Sequence, residues 1–130
     1  MFLKLNLQEL IDTKNLDLFS ERHKKDLQVI FDEMEKEELS ILPWTIYEIS
    51  EVKGQRETFV YCLNDYSHNE LFIYISNSGK IEPHYFKFID ETNYKSVKAE
   101  NIQEAIEQNR INWEKYNDFQ IQKLVSEAKL

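Results

Sequence analysis

The sequence predicts an α+β fold: a four-stranded antiparallel β-meander flanked by N-terminal and C-terminal helices. Three observations carry that expectation. Eleven of the seventeen aromatic residues fall between Trp44 and Tyr94. That block breaks into short runs rich in β-branched and aromatic residues, Trp44–Val52, Thr58–Leu63, Leu71–Ser76 and Ile81–Ile89. Both glycines of the chain, Gly54 and Gly79, stand in the turn segments between such runs.

Taken in order, Met1–Leu5 is apolar but is interrupted at once by Asn6, Gln8, Glu9 and Asp12, which suits neither a signal peptide nor a membrane span. A short helix is expected near Leu7–Asp12, followed by a connection through Thr13-Lys14-Asn15 toward Leu16, Leu18 and Phe19. Ser20 is a good N-cap for a second helix. Leu27, Ile30, Phe31 and Met34 then recur at helical spacing. Leu42-Pro43 is expected to end that helix, because the residue before proline avoids helical geometry. In the meander, an even-numbered loop at Asn77–Lys80 pairs Ser76 with Ile81 and Phe72 with Tyr85. A similar register across Asn64–Asn69 gives an aliphatic face of Val60, Cys62, Leu71, Ile73 and Ile75, with His84 and Phe86. The opposite face then holds Phe59, Tyr61, Leu63, Phe72, Tyr74 and Tyr85. A bulge in either turn exchanges the faces. After the meander, Ile102, Ala105, Ile106, Asn109 and Trp113 form one helical stripe, and Asn117-Asp118 suggests a break before Ile121, Leu124, Val125 and Ala128.

The 130 residues are expected to form one domain, 1–130, large enough to fold without a disulfide or a structural metal. Cys62 is the single cysteine, and a cytoplasmic location is the simpler expectation. The net charge of −8 divides as ten acids and six bases in Met1–Pro43, eight and four in Trp44–Tyr94, and six and six in Lys95–Leu130. A negative surface disfavours nucleic acid and anionic membranes and suits a basic protein partner such as a toxin or nuclease.

The chemistry-bearing residues are sparse. No phosphate-binding glycine loop, CxxC or helical His pair occurs, so no catalytic residue, cofactor or metal is expected. His23, His68 and His84 are scattered, and Cys62 lies in an apolar run where a thiol is inert. Asp65-Tyr66-Ser67-His68 holds the residue types of a triad, but a triad is a spatial arrangement. Glu37-Glu38-Leu39-Ser40-Ile41-Leu42-Pro43 followed by Tyr47 resembles the acidic-helix, Leu-Pro, Tyr opening of a superfamily in which many members are immunity proteins against bacterial toxins. The resemblance covers about a tenth of the chain, and the Asn-Gly and Trp-Gly-Asp patterns of that superfamily are absent, so no site residue is carried over.

The expected function is therefore protein binding: an immunity-type or inhibitor-like acidic domain of bacterial or phage type that docks on a basic partner. Its expected contacts are the aromatic residues Tyr61, Phe72, Tyr74 and Tyr85 and the acidic residues Asp32, Glu33, Glu35, Glu37 and Glu38. The acids lie near a helix C-terminus, where negative charge opposes the helix dipole, and that cost hints at use. One alternative is a small-molecule or enzymatic pocket lined by Trp44, Trp113 and Tyr116 with His84 as a polar handle. Another is a structural subunit or homo-oligomer.

Overall fold

A computed structural model describes residues 2–13, 19–67, 69–90 and 93–128. The fold is α+β, with one antiparallel sheet and a long C-terminal helix. The sheet has six strands rather than four: β1 (Phe2–Asn6), β2 (Thr45–Glu51), β3 (Phe59–Asn64), β4 (Glu70–Ile75), β5 (Ile81–Phe88) and β6 (Tyr94–Lys98), each paired with its sequence neighbour. The helices are α1 (Leu7–Thr13), α2 (Glu21–Lys36) and α3 (Ile102–Ala128). The two strands missing from the expectation are the sheet's edges. β6 is largely exposed and carries Lys95, Ser96 and Lys98, so it has little of the apolar alternation by which strands are recognised. Residues 14–18, with Leu16 and Leu18, and the turn residue His68 lie outside the described residues.

Local chemistry sets the helix ends. Asn6 caps α1, its Oδ1 accepting from the backbone N–H groups of Gln8 and Glu9. Ser20 caps α2 as expected, its Oγ accepting from His23 N. The helix stops at Lys36, short of Leu42-Pro43. Glu38 turns left-handed (φ 60°), and Leu39 N and Glu38 N donate to Met34 O and Glu35 O in a Schellman arrangement. A non-glycine residue there costs about 1–2 kcal/mol. We expect Glu38→Gly to stabilise the fold by about 0.5–1 kcal/mol in urea unfolding, with added unfolded-state freedom taking back part of the relief. α3 runs unbroken through Asn117 and Asp118, which lie exposed on the helix. Such residues cost a helix only about half a kcal/mol each.

The register corrects the expected faces. Phe59, Tyr61 and Leu63 lie opposite Ile75, Ile73 and Leu71, and Ile75 lies opposite Ile81. Each hairpin loop, 65–69 and 76–80, therefore has five residues, an odd number. In the first, Asp65 Oδ1 accepts from Ser67 N and Asn69 N. In the second, Gly79 takes φ 81° and donates to Ser76 O. The slip moves Tyr61 and Tyr85 to the face of Leu71, Ile73 and Ile75. α1 and α2 cover that face, and the core of Leu27, Ile30, Met34, Ile46, Leu63 and Ile73 forms between the two layers. Phe72, Tyr74, His84, Phe86 and Phe88 alternate onto the opposite face.

Candidate functional site: an aromatic groove beside the third helix

The site begins at a fork in the sheet. The register that sets Phe72 opposite His84 places Glu70 opposite Phe86, yet the side chain of Asn109 is inserted there. Its Oδ1 accepts from Phe86 N at 3.0 Å, and its Nδ2 donates to Glu70 O at 3.1 Å. One turn on, Asn112 Oδ1 accepts from Phe88 N at 3.0 Å. Two amides on α3 thus stand in for a neighbouring strand, and both are nearly buried (7% exposed). The start of α3 is fixed as firmly. The Glu37 carboxylate accepts from Ile102 N and Gln103 N, both at 3.0 Å. An acid unfavourable at the end of its own helix is well placed at the positive end of another.

Held at these two points, α3 leaves the core where Ile102 and Ala105 pack and passes along the open side of β5. A groove of about 980 Å³ lies between them. Phe72 and Phe86 line it, their rings 4.6 Å apart and edge-on. Tyr94, Trp113 and Tyr116 supply further aromatic walls, with Trp113 and Tyr116 stacked at 5.6 Å. Phe88 contacts Tyr116 and Phe119 just beyond. Arg110 and Glu114 pair at 3.3 Å on the rim. Trp113 and Tyr94 are about half exposed (55% and 51%). Rings that are half apolar and half wet are the side chains enriched at protein interfaces.

The expected contact residues do not form one surface. Phe72 lines the groove, and Tyr74 is on the same face, its ring tilted by 39° against that of His84 at 4.2 Å. Tyr61 is fully buried, and its hydroxyl donates to Asp26 at 2.5 Å, so it is no surface anchor. Tyr85 packs against the core under the helices. Asp32, Glu35 and Glu38 are exposed and Glu33 is half-buried, and none of the four lines the groove. Glu37 is committed to capping α3. Of the expected pocket residues, Trp113 and Tyr116 are brought together, whereas Trp44 is buried in the core and His84 does not line the groove.

Burial favours the neutral form of a few groups near the sheet. Burial, aided by Glu48 and Glu70, pushes the Cys62 thiol up to about 12, which leaves it protonated and a poor nucleophile at neutral pH. Burial, with the Glu70 hydrogen bond, also raises Tyr47. His84 Nδ1 is 2.9 Å from Ser96 Oγ, and Nε2 is 3.9 Å from Glu82, too far for a hydrogen bond to orient the ring. Among the described residues no three His, Cys, Asp or Glu side chains converge as a metal site, and no helix is long and apolar enough to cross a membrane.

Burial lowers the pKa of both His23 and His84, against the pull of Asp26 and Glu82. The unfolded chain takes up these protons near about pH 6.5, before the folded one does. Stability is therefore full above that value and is lost as pH falls toward the folded values. Urea midpoints should drop between about pH 7.5 and 5.5, and His23→Asn should flatten the slope. An unchanged slope would mean that His23 does not contribute.

No protein family, curated protein or solved structure matches this chain.

Proposed function

We propose that this protein works by binding another protein, seating a segment of its partner in the groove between the open sheet face and α3. The observation that supports the reading is the groove itself. Five aromatic residues line it among polar ones, and two of them, Trp113 and Tyr94, are half exposed. The net charge of −8 directs the choice of partner toward a basic protein, as for an immunity-type or inhibitor-like domain. Asp32 and Glu35 belong to the long-range field that speeds encounter, while the groove makes the contact.

Affinity capture from the source organism's lysate, at low and high salt, tests this reading. We expect a basic protein that Tyr94→Ala no longer retains. Asp32→Lys with Glu35→Lys should slow its association roughly tenfold at low salt. Equal capture by Tyr94→Ala would remove the groove from the account. A second reading, a small-molecule site, draws on the groove's volume, which is at the upper end for ligand pockets. A thermal shift produced by a small compound and lost in Tyr94→Ala would favour it.

A further inference from the structure

The second half of α3 carries an apolar face that the fold does not use. Tyr116 and Phe119 lean on Phe88. Trp113, Ile121, Leu124 and Val125 do not; they are 55%, 58%, 65% and 49% exposed. At about 100° per residue these four and Ala128 share an arc of about 120°, with Tyr116 about 60° outside it. The stripe is thus separate from the packed face. It also lies where the chain's charge vanishes. Residues before Lys95 include eighteen acids and ten bases; from Lys95 onward there are six of each. Asn117 and Glu114 fall within the same arc, and around it Lys115, Asp118, Lys123 and Glu127 mix both signs. A basic partner would find no acidic rim here, whereas a second copy would meet no net repulsion.

We propose that two copies of this chain pair through this stripe, α3 against α3, antiparallel about a two-fold axis near Gln120 and Ile121. Electrostatics select the direction. Residues 113–128 span about 24 Å of helix. An antiparallel pair places the two acidic bodies at opposite ends of that length, well beyond the roughly 8 Å screening distance at physiological salt. A parallel pair would bring them side by side. Packing agrees, because the same axis sets Trp113 of one copy over Ala128 of the other, large against small. This pairing goes beyond the protein-binding reading; it shares the Trp113 wall with the groove and leaves Phe72 and Phe86 uncovered.

Sedimentation equilibrium at up to about 200 μM tests it. The apparent mass should double from 15.7 kDa. Leu124→Glu, at an already exposed position, should return it to the monomer value with an unchanged circular dichroism spectrum. A second measurement reads direction: under mild oxidation Ile121→Cys should cross-link to itself and Trp113→Cys should not. A wild type that stays monomeric, or a dimer that survives Leu124→Glu, overturns the proposal. Cross-linking at Trp113→Cys alone overturns the antiparallel arrangement. Leu124→Glu and Ile121→Cys lie outside the groove lining, so their outcomes are separable from those of Tyr94→Ala, whereas Trp113→Cys alters a groove wall and is read for cross-linking alone.

Discussion

Replacing Asp26 with alanine should destabilise the fold by about 3–5 kcal/mol, read as a shift of the urea midpoint. Asp26 is 1% exposed, between α2 and the sheet. Its Oδ2 accepts from Tyr61 Oη at 2.5 Å and from Arg22 Nε at 2.8 Å. The Arg22 guanidinium also donates to Ile75 O and lies over the Phe59 ring at 5.0 Å. The Tyr61 hydroxyl has one proton, and Asp26 takes it, so His23 Nδ1, 3.0 Å away, must be the donor in that contact. Alanine would take the carboxylate from a largely buried guanidinium, left with Ile75 O, and from a buried hydroxyl, left with His23 Nδ1. Tyr61→Phe should cost less, about 1–3 kcal/mol, since Arg22 still pairs with Asp26. The double mutant should show a coupling of at least about 0.5 kcal/mol. A cost below about 1 kcal/mol for Asp26→Ala would mean that the network adds little beyond the surrounding apolar packing.

This network shows where sequence reasoning reached and where it stopped. Ser20 and the apolar stripe of α2 were legible because capping and helical periodicity are local. Asp26 falls on that same stripe, three residues after His23 and four before Ile30. A carboxylate there is normally assigned to solvent, so its role in the core was not seen. Tyr61 was placed on the outer face by the assumed register, where its polar tip suited a wet surface; the tip is instead satisfied inside by a residue 35 positions away.

Register explains the rest of the difference. β4 alternates cleanly, Leu71, Ile73 and Ile75 buried against Phe72 and Tyr74 half-exposed. Its two faces could be read without knowing the loops. β3 is apolar on both sides from Phe59 to Leu63, so its orientation depended wholly on counting turn residues. Asp65 and Gly79 build five-residue loops where even ones were expected. The acids of α2 divide similarly. Locally Glu37 opposes a dipole; in the folded protein it supports one belonging to a helix 65 residues further on. Only the tertiary structure tells a functional acid from a capping one. For the groove, Trp113 and Tyr116 were legible as neighbours on one helix, but Tyr94 sits on an edge strand that the hydrophobic pattern did not reveal.

Asn109→Leu is expected to have the second large effect, a loss of about 2–5 kcal/mol with the groove opened as well. The sequence already held the clue: an asparagine in line with Ile102, Ala105 and Ile106. Leucine would fill the volume but would take the acceptor from Phe86 N and the donor from Glu70 O in one step. Asn112→Ala should cost less, about 1 kcal/mol, because the Asn112 amide spends its donor on Gln108 O within its own helix. The direct reporter is amide exchange at Phe86, which should speed up at least tenfold in Asn109→Leu while the amides of β3 keep most of their protection. The consequence for binding follows from position. Trp113 and Tyr116 come one and two turns after Asn109, so their place over Phe72 and Phe86 depends on this anchor. Partner capture should then fail in Asn109→Leu even where the protein remains folded, and an Asn109→Leu protein that still captures its partner would show that the groove does not depend on the anchored helix.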